Sequence, residues 1–170
     1  MKRVLVTGAN GQLGLALQAA AKDFPLDFVF LDKNTLDITN SQAVKEVLAS
    51  QSFAVCINAA AYTDVDGAET NKEFAYAINT TAVETLAKAC KQHGCWLVHI
   101  STDYVFDGTL DRPYTPEDTP SPLNVYGASK LAGEQVIEIV GGTYSIVRTS
   151  WLYSRYGNNF YTKLQAQLDA

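Results

Sequence analysis

The chain is poor in cysteine, and this shortage excludes two classes of protein. Only three of its 170 residues are cysteines, Cys56, Cys90 and Cys95, an odd number without a CxxC pair. This usage favours reduced thiols in a cytoplasmic protein over a disulfide framework. Cys90, His93 and Cys95 are close in sequence but match no common zinc spacing and lack a fourth ligand, so we expect no metal site.

Basic residues and long apolar runs are also scarce. There are 13 Lys and Arg against 18 Asp and Glu, which gives a net charge of −5. Nucleic-acid binding needs clustered basic charge, so we expect no nucleic-acid partner. The first apolar run ends at Thr7 and Gly8, too early for a signal-peptide core, and no run is long enough to span a membrane. We therefore expect no membrane association. A chain of this length with 47% hydrophobic residues can form roughly one domain with its own core.

The sequence has instead a regular alternation of short apolar strands and helical segments. The predicted strands span residues 3–7, 26–31, 54–58, 96–100 and 143–147. The predicted helices span residues 12–22, a segment opened by a capping box at Thr39 and Gln42, and residues 72–92, 123–140 and 159–170. The strands are continuously apolar, which is typical of strands covered on both faces. The fold class is therefore α/β, a Rossmann-type doubly wound parallel sheet with helices on both faces.

Three glycines, Gly8, Gly11 and Gly14, lie between the first strand and the first helix. Glycine permits a tight turn and a close backbone approach to a pyrophosphate, and the helix N-terminus offers N–H groups to phosphate. Asp32 ends the second strand, where a carboxylate can accept hydrogen bonds from an adenosine ribose. This context predicts a bound dinucleotide. Asp32 favours NADH because it repels a 2′-phosphate, but Lys33 beside it softens that preference, so NADPH and NADH both stay open.

Tyr126 and Lys130 project from the same face of a predicted helix, because they are four residues apart. A nearby ammonium lowers the pKa of a phenol, so Tyr126 can act as a general acid toward a carbonyl oxygen. Thr102 follows the fourth strand at the sheet edge where ligands bind, and its hydroxyl can hydrogen-bond the same oxygen. The same residues also fit a packed tyrosine with an exposed lysine, and a polar turn. Asn79 on the helix at 72–92 is a candidate polar anchor.

Proline is concentrated in one irregular segment. Four of the five prolines, at positions 113, 116, 120 and 122, lie within residues 107–122, just before the helix that carries Tyr126. A loop of this length in a compact domain is more often functional than idle.

Three motifs together resemble the dTDP-4-dehydrorhamnose reductase family, in the extended branch of the short-chain dehydrogenase/reductase superfamily. They are residues 101–108 (STDYVFDG), 122–127 (PLNVYG) and 148–151 (RTSW). The resemblance implies an enzyme of dTDP-rhamnose and surface polysaccharide biosynthesis. In that reaction a hydride passes from NADPH or NADH to C4 of dTDP-4-dehydro-L-rhamnose, which gives dTDP-L-rhamnose. Tyr126 would protonate the C4 oxygen, Lys130 would assist, and Thr102 would bind that oxygen.

The resemblance also assigns binding positions. Those expected to contact the cofactor, together with the glycines and with Tyr126 and Lys130, are Gln12, Leu13, Asp32, Asp37, Ile38, Ala61, Tyr62 and Thr63. Those expected to face the dTDP-sugar substrate are Thr102, Asp103, Tyr104 and Trp151. Trp151 could pack its aromatic face on the apolar side of a deoxysugar, although a tryptophan just past a strand is also a common core residue.

The family's pattern bears on domain organisation and assembly as well. We expect residues 1–170 to be the NAD(P)-binding Rossmann domain of an extended enzyme, without its C-terminal substrate-binding lid, and to turn over poorly alone. Some family members form a metal-bridged dimer with an acidic residue early in the first helix. This chain has Leu15, Ala16 and Leu17 there, so a homodimer is left open and no metal is expected.

Two other readings of the function are kept. One is another nucleotide-sugar reductase, an epimerase or a dehydratase of the same branch. Dehydratases follow the threonine with Asp-Glu, whereas Thr102 is followed by Asp103 and Tyr104. The other is a non-catalytic dinucleotide-binding regulatory module, which the presence of Thr102, Tyr126 and Lys130 disfavours.

Overall fold

Five short apolar segments form a parallel sheet at the centre of the structure, a computed structural model that describes residues 1–157 and 159–168. The strands are β1 (Arg3–Thr7), β2 (Asp27–Leu31), β3 (Phe53–Asn58), β4 (Trp96–Thr102) and β5 (Tyr144–Thr149). Their order is β2-β1-β3-β4-β5, and every pairing is parallel. The direction of winding changes between β1 and β3, which leaves a crevice at the carboxyl ends of these strands. The predicted fold class is confirmed.

The helices follow the strands in sequence. They are α1 (Gln12–Ala21), α2 (Ser41–Ser50), α3 (Val65–Thr70), α4 (Lys72–Tyr76), α5 (Ala82–Gln92), α6 (Val125–Val140) and α7 (Phe160–Leu168). The helix predicted at 72–92 is continuous, but α4 and α5 are joined by a π-helical turn, Ala77–Thr81. The short helix α3 was not predicted. For the helix predicted at 159–170, residues 169 and 170 lie outside the described residues. No helix in the described ranges is long and apolar enough to cross a membrane.

Helix α2 begins after Asn40 rather than at Thr39, so the predicted capping box is wrong. The Asn40 side chain accepts a hydrogen bond from the Ala43 N–H at 3.1 Å, which satisfies one of the open donors of the first turn. The Thr39 hydroxyl is engaged elsewhere, because it donates to the carboxylate of Asp37 at 2.7 Å. The two candidate caps are adjacent in sequence, and the local bond of Thr39 to Asp37, two residues earlier, leaves the cap to Asn40.

The core lies where the sheet packs against helices α2, α5 and α6. Its most buried side chains include Leu5 of β1, Leu48 of α2, Leu86 of α5, Leu97 of β4 and Ile137 of α6. Burial of a side chain of this size contributes about 1.5–3 kcal/mol of transfer free energy.

All three cysteines are free and buried in this core. A hydrogen bond to Cys90, and then burial, raise the pKa of the Cys95 thiol, so it stays protonated and unreactive. The described residues bring together no group of three His, Cys, Asp or Glu side chains that could hold a metal ion.

Candidate active site

A cavity of about 260 Å³ opens at the carboxyl ends of β1, β2 and β3. It collects the residues that were expected around the adenosine half of a dinucleotide. The predicted residues in its wall are Gly8, Gly11, Asp32, Asp37, Ile38 and Ala61. The side chains of Leu36, Phe74 and Ile78 complete an apolar face suited to a flat base.

The glycine turn closes one side of this crevice. Gly8 has a φ of +68°, and a Cβ on it would come within 2.6–2.8 Å of the backbone of Ala59 and Ala60 at the end of β3. A side chain there would be strained in conformation and would push the two strand ends apart. Gly14 is buried and packs helix α1 directly on the carbonyls of Gly8 and Ala9.

Helix α1 begins with an open N-terminus. Its first turn follows Gly11, no side chain caps it, and it contains no acidic residue. Gly11, Gln12 and Leu13 form part of the wall of a second cavity of about 630 Å³. The N–H groups of a first turn have no intrahelical partner, and the positive end of the helix dipole lies there as well. These residues therefore fit a bound pyrophosphate.

Asp32 is fixed as a carboxylate at the end of β2. Its oxygens accept hydrogen bonds from the Thr35 hydroxyl at 2.8 Å, the Thr35 N–H at 2.9 Å and the Asn10 amide at 2.5 Å. These bonds, led by that of the Thr35 hydroxyl, lower the pKa of Asp32. Lys33 lies next to it, with its Nζ 5.7 Å from the centre of the Phe74 ring, and both line the 260 Å³ cavity. The wall thus carries one ammonium, that of Lys33, and two carboxylates, those of Asp32 and Asp37.

Residues 61–63 run between the two cavities. Ala61 lines both and Thr63 lines the larger one. The Tyr62 backbone is held by Asn79, whose Oδ1 accepts from the Tyr62 N–H at 2.9 Å and whose Nδ2 donates to the Tyr62 carbonyl at 3.0 Å. Asn79 also donates to the Ser129 hydroxyl at 3.0 Å, so it is the polar anchor that the sequence suggested.

Two of the residues expected to contact the cofactor do not line either cavity. Gly14 lies beneath the turn, where it packs α1 on the turn's carbonyls. The ring of Tyr62 packs edge-on against Phe74, with 5.7 Å between ring centres. In the part of the chain that the structure describes, the remaining predicted cofactor residues all border one cavity or both.

The larger cavity also brings the predicted catalytic side chains together. Thr102, Tyr126 and Lys130 are all in its wall, with Asp103, Tyr104 and Trp151. Helix α6 begins after Asn124, whose side chain accepts from the Gly127 N–H at 2.7 Å and so fixes the first turn that carries Tyr126. The Tyr126 ring meets that of Tyr104 edge-on at 5.7 Å. The Thr102 hydroxyl accepts from the Tyr104 N–H at 3.2 Å.

Burial shifts the two titratable groups of this trio in opposite directions. It raises the pKa of Tyr126, against a smaller lowering effect of the Thr102 hydroxyl. It lowers the pKa of Lys130 to about 8, against the attraction of Glu134. The sequence predicts that Lys130 lowers the pKa of Tyr126, but the Lys130 ammonium donates instead to the Ile100 carbonyl at 2.6 Å. In this arrangement Tyr126 is a protonated phenol at neutral pH.

A buried ion pair that the sequence did not suggest supports the end of β4. Glu134 accepts hydrogen bonds from the Ser101 hydroxyl at 2.5 Å and from the Arg148 guanidinium at 2.6 Å. The guanidinium carbon also lies 5.0 Å from the centre of the Phe106 ring. Glu134 lies on α6 and Arg148 on β5, so no local spacing in the sequence signals this pair.

A third cavity, of about 490 Å³, continues the site beyond Asp103 and Tyr104. The loop at 107–122 forms one of its sides, where the Tyr114 ring stacks on Phe106 at 4.2 Å. The Tyr114 hydroxyl donates to Asp107 at 2.8 Å, and this bond is the leading cause that lowers the pKa of Asp107. The proline-rich segment is therefore an ordered wall of the site.

Trp151 is not a core residue. Its side chain is 67% exposed and its φ is +47°, a conformation that turns the chain sharply after β5. Its ring lies 5.7 Å from that of Phe160, edge to face, and it borders the 630 Å³ cavity. The turn is tied to the glycine loop, because the Gln12 amide donates to the Leu152 carbonyl at 2.5 Å.

The chain is similar to reductases of dTDP-activated sugars. A dTDP-4-dehydrorhamnose reductase of Mycobacterium tuberculosis is 45% identical over 157 residues, which are 90% of this chain and 51% of the relative. A crystal structure of dTDP-4-dehydrorhamnose reductase from Bacillus anthracis in complex with NADP matches with a TM-score of 0.95 at 45% identity, over 100% of this chain and 61% of that one. A dTDP-4-keto-6-deoxy-D-glucose reductase of Streptomyces niveus is 41% identical over 163 residues, 95% of this chain and 57% of the relative.

These matches define both the extent and the family of the chain. It spans about half the length of the curated relatives that it matches. The family model described as the RmlD substrate binding domain matches residues 1–170. The resemblance to dTDP-4-dehydrorhamnose reductases that the sequence motifs predicted is confirmed, and the chain belongs to the RmlD substrate binding domain family.

Proposed function

We propose that residues 1–170 form the NAD(P)-binding domain of a dTDP-4-dehydrorhamnose reductase. The reaction is the reduction of the C4 ketone of dTDP-4-dehydro-L-rhamnose to dTDP-L-rhamnose with NADPH or NADH. The observation that carries this proposal is the 630 Å³ cavity, in which the open N-terminus of α1 and the side chains of Thr102, Tyr126 and Lys130 share one wall.

The chain's own residues would hold the cofactor along the crevice. The first-turn N–H groups of Gln12 and Leu13 would bind the pyrophosphate, and Asp32 would accept hydrogen bonds from the adenosine ribose. Lys33 lies on the same wall and would stabilise a 2′-phosphate, which allows NADPH as well as NADH. The chemistry that the reduced nicotinamide supplies when bound is a hydride for C4 of the sugar.

Tyr126 would complete the reduction with a proton. The C4 oxygen gains negative charge as the carbon is reduced, and the phenol can donate to it because burial keeps Tyr126 protonated. The Thr102 hydroxyl borders the same cavity and would orient that oxygen. Lys130 would place its positive charge beside the cofactor ribose and stabilise the phenolate that remains.

The sugar would lie between the catalytic cavity and the 490 Å³ cavity. Asp103 and Tyr104 line both, so they would contact the substrate at the junction. The exposed face of Trp151 would pack on the apolar side of the deoxysugar. These contacts would determine which sugar is reduced.

The relatives are about twice as long as this chain, so binding and turnover are tested separately. We expect the chain to bind NADPH, detected by the change in nicotinamide fluorescence. Oxidation of NADPH by dTDP-4-dehydro-L-rhamnose is followed by the absorbance of the reduced cofactor, with this chain and with any longer version. Absence of NADPH binding, or a product that has lost water, would contradict the proposal.

The variant Tyr126→Phe separates catalysis from binding. It removes the proton donor and should lower kcat about 100-fold or more, with the Kd for NADPH within about twofold of wild type. Tyr144→Phe is the matched control, because Tyr144 begins β5 at the opposite end of the sheet. An unchanged kcat would show that Tyr126 is not the proton donor. A complete protein that carries Tyr126→Phe and keeps all its biological function would favour a non-catalytic module.

A second candidate is the reduction of another dTDP-4-keto-6-deoxysugar, which the similarity to the Streptomyces niveus reductase favours. Comparison of kcat/KM for dTDP-4-dehydro-L-rhamnose and dTDP-4-keto-6-deoxy-D-glucose distinguishes the two substrates. An epimerase would convert its substrate without net consumption of NADPH.

A further inference from the structure

Lys130 reaches the catalytic cavity through the interior of the protein, where it meets a histidine that the proposed reaction does not use. Only 2% of Lys130 is exposed, and His99 of β4 is fully buried. The Lys130 Nζ lies 2.6 Å from the Ile100 carbonyl oxygen and 3.3 Å from the His99 Nε2. An ammonium has three N–H donors, so these two partners leave one for the cavity that Lys130 lines.

The contact with His99 is the first of a series of contacts between buried polar side chains. The other ring nitrogen, Nδ1, lies 3.0 Å from the carboxamide of Asn58 on β3. The Asn58 nitrogen is placed at this contact, and the Asn58 oxygen accepts a hydrogen bond from the hydroxyl of Thr7, the last residue of β1, at 2.7 Å. Thr7, Asn58 and His99 are at most 1% exposed. This series of contacts links Lys130 of α6 to side chains of β4, β3 and β1. It ends at Thr7, which directly precedes the glycine turn.

Because these side chains are buried, each hydrogen-bond donor needs an acceptor within the protein. A neutral imidazole donates from one nitrogen and accepts at the other. With Lys130 as an ammonium, Nε2 has to accept, and the ring hydrogen has to be on Nδ1. The Asn58 carboxamide then has to be turned over by half a turn from the orientation given above, so that its oxygen accepts from Nδ1 and its nitrogen donates to Thr7. The two orientations of a carboxamide have nearly the same shape. The other tautomer would set an N–H against the ammonium.

The charges around His99 also favour a neutral ring. Burial, and then the charge of Lys130, lower the pKa of His99 well below its usual value. The carboxylate of Glu134, four residues after Lys130 on α6, is paired with Arg148. The imidazole is therefore an uncharged acceptor at neutral pH.

We propose that His99 is a positioning residue for Lys130. Its imidazole, with the hydrogen on Nδ1, accepts a hydrogen bond from the Lys130 ammonium at Nε2, and the Asn58 oxygen accepts from Nδ1. The pairing directs the remaining N–H of Lys130 into the cavity. There this N–H would contact a hydroxyl of the cofactor, and only that contact depends on the proposed function.

The tautomer can be measured on the free chain. The sequence has two histidines, and His93 is exposed, so a two-bond proton–nitrogen correlation spectrum of labelled protein resolves both rings. We expect a protonated Nδ1 and an unprotonated Nε2 for His99, with no titration near neutral pH. A protonated Nε2 would overturn the proposal. Since no cofactor is needed, this result is independent of the proposed function.

A pair of amide variants tests the consequence for binding. His99→Gln places an amide oxygen near the position of Nε2 and can still accept from Lys130, whereas His99→Asn reaches only the position of Nδ1. We expect the Asn variant to bind NADPH about tenfold more weakly than the Gln variant, which is the loss of roughly one hydrogen bond to a charged group. Denaturant unfolding of each variant separates this effect from loss of stability.

Each outcome of the pair is informative. Equal NADPH affinities of two folded variants would overturn the positioning role. If the Asn variant does not fold, the tautomer of the wild-type ring and the NADPH affinity of the Gln variant decide, and a tenfold loss in the Gln variant counts against the proposal. Failure of wild type to bind NADPH would contradict the proposed function and leave the tautomer result intact.

Discussion

At the scale of single residues, one physical cause acts on both members of the candidate acid–lysine pair. Burial favours the neutral form of any group, so it raises the pKa of Tyr126 and lowers that of Lys130. The first shift suits a proton donor. The second is opposed by Glu134, and with a pKa of about 8 Lys130 remains mostly charged at neutral pH. The site thus combines a protonated phenol with an ammonium.

Lys33 is the residue on which the choice of cofactor should depend. It shares the cavity wall with Asp32, whose carboxylate repels a 2′-phosphate. We expect Lys33→Gln to weaken NADPH binding about fivefold and to leave NADH binding nearly unchanged, since an exposed ion pair contributes up to about 1 kcal/mol. Kd values for both cofactors measure this, with Lys22→Gln after helix α1 as the control. An equal change for both cofactors would show that Lys33 does not contact the 2′-phosphate.

At the scale of elements, the widened turn between α4 and α5 has a specific task. The π-helical residues Ala77–Thr81 contain Asn79, which bonds both the N–H and the carbonyl of Tyr62 and the hydroxyl of Ser129. Single π turns in α-helices occur frequently at functional sites. Here the turn joins the segment along the proposed cofactor path to helix α6, which carries Tyr126 and Lys130.

Removal of that side chain should loosen the joint. Asn79→Ala leaves the two Tyr62 backbone groups without their partner and should lower the free energy of unfolding by about 2–4 kcal/mol. NADPH affinity should fall with it. The matched control is Thr85→Ala on α5, because the Thr85 hydroxyl is exposed and bonds only the carbonyl one turn earlier. Urea unfolding of both variants gives the comparison, and equal midpoints would mean that water replaces the Asn79 bonds.

The elements that could be predicted from the sequence are those set by local chemistry. The apolar strands and the glycine turn carry their signals within a few residues, and both were found. The predicted start of α2 was wrong, because the Thr39 hydroxyl donates to Asp37 and the side chain of Asn40 caps the helix instead. The π turn was not predicted because its bonds reach Tyr62 and Ser129, far away in sequence.

The candidate site shows the same division. Tyr126, Lys130 and Thr102 lie in recognisable motifs, and the structure brings them to one cavity. His99 is one polar residue in an apolar strand, and it meets Lys130 only after β4 and α6 pack together. Its role therefore follows from the fold rather than from a motif.

At the scale of the whole molecule, the site and the core are not separate regions. The series of side-chain contacts that runs from Thr7 through Asn58 and His99 to Lys130 crosses the sheet. Lys130 is among the largest fully buried side chains. A buried charge costs stability, and sites commonly retain such groups because function needs them. The cost should be visible in how stability depends on pH.

Lys130 has a folded pKa of about 8 and an unfolded value of 10.5. Below about pH 8 both states hold the proton, and the destabilisation by burial is fully present. Between these values the unfolded state still binds a proton that the folded state has released, so the contribution of Lys130 to stability becomes more favourable as pH rises. Relative to Lys130→Met, the free energy of unfolding of wild type should therefore increase by about 2 kcal/mol from about pH 7.5 to about pH 10.

The comparison with Lys130→Met is needed because other groups act in the opposite direction. Burial raises the pKa of Tyr126. The pKa of the Cys90 thiol is raised as well, mainly by its hydrogen bond to Cys56. The unfolded state loses these protons first, so both groups reduce stability at high pH in either variant, and their effect cancels in the difference. Chemical denaturation of both proteins across this range makes the measurement. If the difference between the two free energies of unfolding stays constant with pH, Lys130 keeps its proton in the folded state. Glu134 and His99 would then stabilise the ammonium by more than burial destabilises it.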